Sequence, residues 1–124
     1  MEKIIIEGTS KTPTVLTDAE QGIIEIKGRS NPENSIQFYR PLIKWVEEYS
    51  KNPLEKTIIN IQLELFNTSS SKCILDLFKK LEILHKRNHN VEVNWHYETD
   101  DEDIMEAGEV YRTMTNIPIR LVEF

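Results

Sequence analysis

The sequence predicts an α/β domain with a mixed β-sheet and three helices packed mainly on one face. Strand-like and helix-like segments alternate along the chain after the first three strands, and the clearest strands alternate apolar with polar side chains. Residues 57–66 show this best, with Ile59, Ile61 and Leu63 separated by Asn60 and Gln62. A sheet covered on both faces has nearly continuous apolar strands, so we expect one face to remain partly in water.

The predicted element order is β-β-β-α-β-α-β-α-β within a single domain of residues 1–124. The first strand is the short β-rich run at 4–6, and the second lies at 14–17 beyond the break at Thr12-Pro13. The third lies at 22–28, where apolar and charged side chains alternate. These three strands are expected to form a hairpin or meander at one edge of the sheet.

The first helix is predicted to begin at Asn31-Pro32, because Asn is a good N-cap and Pro fits the first helical position. It is expected to end at Asn52-Pro53. Its apolar positions recur at helical spacing. They are Ile36, Tyr39, Leu42, Ile43 and Val46, widened by Phe38, Trp45 and Tyr49.

The second half of the chain predicts a helix at about 70–88, a strand at 91–97, a helix at about 101–114 and a last strand at 119–124. Strands joined through helices imply right-handed crossovers and a largely parallel portion of sheet. Ile104, Ala107, Tyr111 and Met114 share one side of the last helix. The predicted core contains Ile59, Ile61, Leu63, Leu77, Phe78, Leu81, Val93 and Trp95.

Composition excludes several classes of function. Fifteen Lys and Arg against 21 Asp and Glu give a net charge of −6, which argues against nucleic-acid binding and docking on anionic lipid. The lone Cys73 cannot form an intrachain disulfide. The apolar run near the N-terminus is too short for a signal peptide, and no segment approaches the length of a membrane span. We therefore expect a cytoplasmic protein without membrane insertion.

The strongest candidate site is the hydroxyl-rich segment between the strand at 57–66 and the second helix. In such folds, ligands and partners engage loops at the carboxyl ends of strands. One hydroxyl is explained by helix capping, and Asn67 could also be that cap, but four in a row exceed what capping needs. A phosphate here would meet free N–H groups and the positive helix end. The segment reads Asn67-Thr68-Ser69-Ser70-Ser71-Lys72.

Other candidates have simpler structural explanations. The acidic run at 99–103 satisfies capping logic, with Thr99 and Glu102 or Asp100 and Asp103 as the pair. His85 and His89 near a helix end lack the further ligands that zinc needs. His96 is expected on a polar strand face. No catalytic motif, cofactor site or metal site is predicted, although a small enzyme using His96 or His85 with the acidic run remains an alternative.

Three stretches together resemble the SiaC-family regulatory phosphoproteins of bacteria. They span most of the chain, in order and at spacing similar to that of the family. The first is Arg29-Ser30-Asn31-Pro32-Glu33-Asn34 with Phe38-Tyr39-Arg40-Pro41-Leu42. The second is Leu65-Phe66 followed by Asn67 to Lys72, and the third is Asp100-Asp101-Glu102-Asp103 with Glu106-Ala107-Gly108-Glu109.

The resemblance implies a STAS-like fold, distantly similar to that of anti-anti-sigma factors and covered by helices on one side. It implies phosphorylation at Thr68, with Ser69 and Ser70 as fallback acceptors and Asn67 at the position where STAS domains have Asp. Ser70 stands where the Asp-Ser-Ser-Gly motif of anti-anti-sigma factors has its Gly. The chain departs from that motif there, and direct action as an anti-anti-sigma factor is kept as an alternative.

The resemblance also implies three partners for a non-enzymatic switch protein. A kinase with an ATP-binding fold of the histidine-kinase type would modify Thr68, and a PP2C-type phosphatase would remove the phosphate. The unmodified protein would bind a downstream effector through residues 67–72. In the best-known system of the family, that effector is a diguanylate cyclase that makes cyclic-di-GMP.

Overall fold

One six-stranded sheet runs through the computed structural model, which describes residues 1–124. Its strands are β1 (Ile5–Ile6), β2 (Thr14–Asp18), β3 (Ile23–Ser30), β4 (Lys56–Phe66), β5 (Asn90–Tyr97) and β6 (Ile119–Glu123). The helices are α1 (Ser35–Tyr49), α2 (Thr68–Lys86) and α3 (Glu102–Met114). The predicted element order is confirmed.

The strands lie side by side in the order in which they occur in the sequence, β1-β2-β3-β4-β5-β6. β1, β2 and β3 pair antiparallel, whereas β3, β4, β5 and β6 pair parallel. The edge meander and the parallel portion are therefore confirmed. The β3–β4 register shifts between Gly28 and Arg29, and Gly28 has a φ of +121°, a conformation that L side chains rarely adopt.

The core lies on one side of the sheet, where a single cluster of 24 buried side chains joins the strands to all three helices. All eight residues predicted for the core are buried. The opposite face carries half-buried polar groups, as the alternation in β4 and β5 predicts. There the Asn94 side-chain amide donates to the Asn60 side-chain oxygen at 2.9 Å. The expectation of helices covering one face is confirmed.

The start of α1 differs from the prediction. The N-cap is Asn34, whose side chain accepts a hydrogen bond from the backbone N–H of Gln37. Asn31 is instead tied to the edge meander, because its N–H donates to the Lys11 carbonyl at 2.7 Å. Ile36, placed by its spacing on the buried stripe, is 67% exposed because it lies in the first turn, beyond the edge of the core.

α3 approaches the sheet unusually closely at Gly108. A Cβ there would lie 2.6 Å from both the Trp95 ring and the Leu121 side chain, so only glycine fits without a shift. The Trp95 indole N–H donates to the Ile104 carbonyl at 2.7 Å, which fixes the same contact. Met114, predicted on the buried side of α3, is 46% exposed since it lies in the last turn of the helix.

Candidate functional site

The candidate site lies where β4 passes directly into α2, at the carboxyl edge of the parallel strands. Asn67 is the N-cap, and its side-chain oxygen accepts a hydrogen bond from the backbone N–H of Ser70 at 2.8 Å. Its side-chain nitrogen donates to the side-chain oxygen of Asn31 at 3.1 Å and to the carbonyl of Pro32 at 3.4 Å. Asn67 therefore fixes the helix start to the connection between β3 and α1.

Thr68 is the first residue of α2, and its side chain is exposed, as predicted. The first N–H groups of a helix have no partner within the helix. Asn67 satisfies that of Ser70, whereas those of Thr68 and Ser69 form no hydrogen bond within the protein. α2 has no acidic residue in its first turn, so its positive end is not neutralised locally. Lys72 is exposed one turn further along the same face.

The three serines that follow have different environments. Ser69 is exposed, whereas Ser70 is fully buried at 0% exposure. The Ser71 hydroxyl contacts the Tyr111 hydroxyl at 3.0 Å, which connects α2 to α3. The burial of Ser70 argues against two predictions, that it contacts a partner and that it is a fallback acceptor, because its Oγ is enclosed by other side chains. Thr68, Ser69 and Lys72 remain on the surface.

A buried chain of hydroxyl groups lies beneath Thr68, and sequence reasoning missed it. Ser30 Oγ donates to Ser70 Oγ at 2.8 Å, and Ser70 Oγ donates to the Ser30 carbonyl at 3.2 Å. The Tyr39 hydroxyl, 2.6 Å from Ser30 Oγ, is therefore the donor in that contact. Burial raises the pKa of Tyr39 to about 12, so this proton is retained at neutral pH. The only available signal was a serine at each end of the β3–α1 connection.

Ser35, the first residue of α1, also belongs to this chain. It is 3% exposed, and its Oγ lies 2.7 Å from Ser69 Oγ and 3.2 Å from Ser70 Oγ. It also donates to the Asn67 side-chain oxygen at 3.3 Å. The first turns of α1 and α2 are thus joined side chain to side chain.

A shallow groove runs along the surface between α1 and α2, away from the sheet. Ile36, Tyr39, Arg40 and Ile43 line it from α1, and Cys73 and Asp76 line it from α2. Burial, and secondly the nearby Asp76 carboxylate, raises the pKa of the Cys73 thiol. A protonated, buried thiol is poorly reactive, which agrees with a structural role for Cys73.

The acidic run follows β5 at the same edge of the sheet and caps α3. The cap is Asp101, whose carboxylate accepts from the Ile104 N–H at 3.1 Å. Neither capping pair suggested by the sequence forms. Thr99 instead donates from both N–H and Oγ to the Phe124 carbonyl, at 3.0 and 3.2 Å.

The histidines do not converge with the acidic run. His96 lies on the open sheet face, where burial and secondly the charge of Lys27 lower its pKa. His85 lies in the last turn of α2, whereas His89 lies beyond the helix with its Nδ1 3.1 Å from the Leu54 carbonyl. No three His, Cys, Asp or Glu side chains are grouped so that they could hold a metal ion. None of the helices has the length and apolar character needed to cross a membrane.

Comparison with known proteins identifies the family. The model of the SiaC family of regulatory phosphoproteins matches residues 6–124. The chain belongs to this family. It is 32% identical to an uncharacterised protein of Pseudomonas aeruginosa strain UCBPP-PA14, over 98% of this chain and 96% of that protein.

Solved structures of SiaC from Pseudomonas aeruginosa have the same fold. One superposes with a TM-score of 0.92 at 29% identity, covering all of both chains. A second belongs to a crystal structure of the diguanylate cyclase SiaD in complex with its activator SiaC. It has a TM-score of 0.92 at 30% identity, over 98% of this chain and 99% of that chain. Members of the family are regulatory proteins, and SiaC from Pseudomonas aeruginosa activates a diguanylate cyclase.

Proposed function

We propose that this chain is a non-enzymatic switch protein whose binding to an effector is controlled by phosphorylation of Thr68. The observation that carries the proposal is an exposed threonine at the start of a helix whose first turn has no acidic residue. Unpaired N–H groups and the helix dipole favour a phosphate at such a position. The fold is therefore compatible with both the modified and the unmodified form.

The effector would bind the unmodified form through the surface around Thr68, which includes Ser69 and Lys72. Phosphorylation adds about −1.5 to −2 charges at neutral pH. A partner surface that fits a small neutral hydroxyl would then have to desolvate that charge or oppose it with a group placed for another contact. Phosphorylation would thus release the effector without unfolding the domain.

The resemblance to SiaC of Pseudomonas aeruginosa, and its complex with SiaD, supports a diguanylate cyclase as the effector class. The proposed enzymes that set the phosphorylation state are a kinase with a histidine-kinase-type ATP-binding fold and a PP2C-type phosphatase. Since a kinase uses ATP and a diguanylate cyclase uses GTP, these partners would place the chain in the cytoplasm. The net charge of −6 disfavours nucleic acid as a partner.

The test combines effector capture with a matched pair of substitutions. The unmodified chain is used to capture partners, which are identified by mass spectrometry, and affinity for the captured cyclase is then measured. Thr68→Glu should weaken this binding by about tenfold or more, the equivalent of roughly 1.4 kcal/mol. Thr99→Glu, an exposed threonine at the neighbouring strand–helix connection, should leave binding unchanged.

Labelling with the cognate kinase tests the phosphorylation site itself. Thr68→Ala should abolish labelling, while Thr99→Ala should retain it. Phosphate found only at residues other than Thr68 would refute the proposed site. Capture of an anti-sigma kinase in place of a cyclase would instead support the direct anti-anti-sigma role.

A further inference from the structure

The first turns of α1 and α2 are linked by three polar side chains, which we call the interhelix clasp: Ser35, Asn67 and Ser69. Ser35 Oγ and Ser69 Oγ lie 2.7 Å apart. Both also lie within donating distance of the Asn67 side-chain oxygen, at 3.3 Å from Ser35 and 3.2 Å from Ser69. Ser35 is nearly inaccessible, while Ser69 is on the surface next to Thr68.

We propose that Ser35 is a positioning residue of the switch, which transmits the phosphorylation state of Thr68 through Ser69 into α1. This inference rests on the proposed function of Thr68. Ser35 belongs to a different helix from Thr68, and it acts on that residue only through the clasp.

The clasp contains two hydroxyl protons, one on Ser35 and one on Ser69. Each hydroxyl carries one proton, so the contact between Ser35 and Ser69 uses one of the two. The other proton is free to reach the Asn67 oxygen. Within the clasp, two arrangements use both protons, since either serine can donate to its neighbour while that neighbour donates to Asn67. Ser70 Oγ, 3.2 Å from Ser35 Oγ, is a further acceptor outside the clasp. More than one hydrogen-bond pattern is therefore open to the unmodified protein.

A phosphate on Thr68 removes this choice. Charged phosphate oxygens are stronger acceptors than a neutral amide oxygen. The Ser69 hydroxyl is directly adjacent in sequence, whereas the equally adjacent Asn67 amide already donates to Asn31 and Pro32. When Ser69 donates to the phosphate, the 2.7 Å contact between Ser35 and Ser69 stays a hydrogen bond only if Ser35 donates to Ser69, and Asn67 then has no hydroxyl donor. The change at the surface is thus transferred to a buried side chain at the first position of α1.

From Ser35 the contacts continue to the groove between α1 and α2. Ser35 Oγ lies 3.2 Å from Ser70 Oγ, which is linked through Ser30 to the Tyr39 hydroxyl. Tyr39 lines the groove. The clasp therefore connects the first turn of α2, next to Thr68, to the groove between α1 and α2.

The experiment uses the full chain with phosphothreonine installed genetically at position 68, which makes it independent of any kinase. Backbone amide chemical shifts are compared between phosphorylated and unmodified protein in four backgrounds: wild type, Ser35→Ala, Ser69→Ala and Ser50→Ala. Ser50 is the matched control, because its hydroxyl donates to the Val46 carbonyl at 2.6 Å at the opposite end of α1.

In wild type and in Ser50→Ala, phosphorylation should shift the amides of residues 35–39 as well as those of 67–72. In Ser35→Ala and Ser69→Ala the shifts at 35–39 should be lost while those at 67–72 persist. Each phosphorylated variant is compared with the unmodified form of the same variant. A general loosening of α1 caused by the substitution would be present in both forms, so it would not produce this pattern. Ser69 is exposed, so its variant keeps the test available even if Ser35→Ala folds poorly.

Shift changes confined to 67–72 in wild type, or shifts at 35–39 that survive in Ser69→Ala, would overturn the positioning role. The proposed function has a separate readout, which is the affinity of wild-type protein for its cyclase with and without the phosphate. Equal affinities would refute that function even if the clasp transmitted the modification.

Discussion

The connections β4–α2 and β5–α3 are built alike but differ in charge. Each places an Asx side chain at the N-cap, where Asn67 accepts from Ser70 N–H at 2.8 Å and Asp101 from Ile104 N–H at 3.1 Å. α2 has no acidic residue in its first turn, whereas α3 has two. The dipole of α3 is thus already complemented by carboxylates, while that of α2 has no acidic residue in the first turn to complement it.

The two connections also differ in what holds them. Asn67 contacts the connection between β3 and α1 as well as its own helix, and the side chains beneath it are buried hydroxyls. The Asp101 carboxylate caps only its own helix, and acidic side chains surround it on the surface. Of these two connections, only β4–α2 combines a helix start without acidic residues in its first turn with side-chain hydrogen bonds to a second connection.

The largest expected effect on stability comes from the packing of α2 against α3, the two helices that follow these connections. Phe78 is fully buried and packs edge-to-face on Tyr111, with ring centroids 5.1 Å apart. Phe78→Ala should lower the free energy of unfolding by about 3–5 kcal/mol, measured by urea denaturation. Ile83→Ala, at an exposed position of the same helix, should cost under about 0.5 kcal/mol. Equal losses would mean that α2 is not anchored through this contact.

The caps themselves provide a direct comparison. Asn67→Ala should cost about 2 kcal/mol, at the upper end for an N-cap, because contacts to Asn31 and the clasp are lost with it. Asp101→Ala should cost about 1 kcal/mol, since only the cap is removed. Thermal unfolding of the two variants at one pH would measure the difference. A larger loss for Asp101→Ala would reverse our ranking of the two connections.

In the C-terminal half of α2 the hydrogen-bond acceptor is a carboxylate, not an amide as at Asn67. Its contribution to the free energy of unfolding therefore depends on pH. Glu82 accepts from the Asn116 N–H at 2.8 Å, and this hydrogen bond, helped by Lys79 and Lys86, holds the Glu82 pKa below its usual value. Because the folded pKa is depressed, the stabilisation is present at neutral pH and is lost as the pH falls below about 4.3.

Glu82→Gln should therefore lower the free energy of unfolding by about 1 kcal/mol at pH 7. The gap from wild type should close as the solution is acidified, which denaturation at a series of pH values would follow. Glu48→Gln is the control, because Glu48 forms an exposed ion pair with Lys51. A gap that widens toward acid would contradict the assigned pKa direction.

The smallest expected effect is the one that tests the difference in charge. Thr68→Asp should raise the free energy of unfolding by about 0.3–1 kcal/mol through the helix dipole. Thr99→Asp should instead lower it by a few tenths, about what like-charge neighbours cost. Both differences should shrink in high salt, since exposed charges are screened. Destabilisation by Thr68→Asp would show that the β4–α2 connection is not prepared for negative charge.

Local patterns in the sequence were sufficient for most of the fold. Alternation in β4 and β5 predicted which face is buried, because that pattern has a period of two residues and little ambiguity. The start of α1 was less predictable, since Asn31 and Asn34 are equally good caps. A tertiary contact decided between them, the hydrogen bond from Asn31 N–H to the Lys11 carbonyl.

The place of Thr68 in the fold was predictable from the sequence, but the burial of its neighbours was not. A row of hydroxyls after a strand marked Thr68, and the resemblance to the family singled it out. The burial of Ser70 and its contact with Ser30 depend on two strands being neighbours and on the angle at which α2 leaves the sheet. A serine is compatible with both surface and interior, so its residue type does not reveal which one applies.

The strand order has a consequence for the kind of molecule this domain recognises. In doubly wound nucleotide-binding folds the strand order reverses, and the diverging helices open a crevice at the reversal point. Here the order runs from β1 to β6 without reversal. The carboxyl edge is therefore a continuous rim with no cleft of that origin, a shape that suits the broad surface of another protein better than the compact volume of a nucleotide.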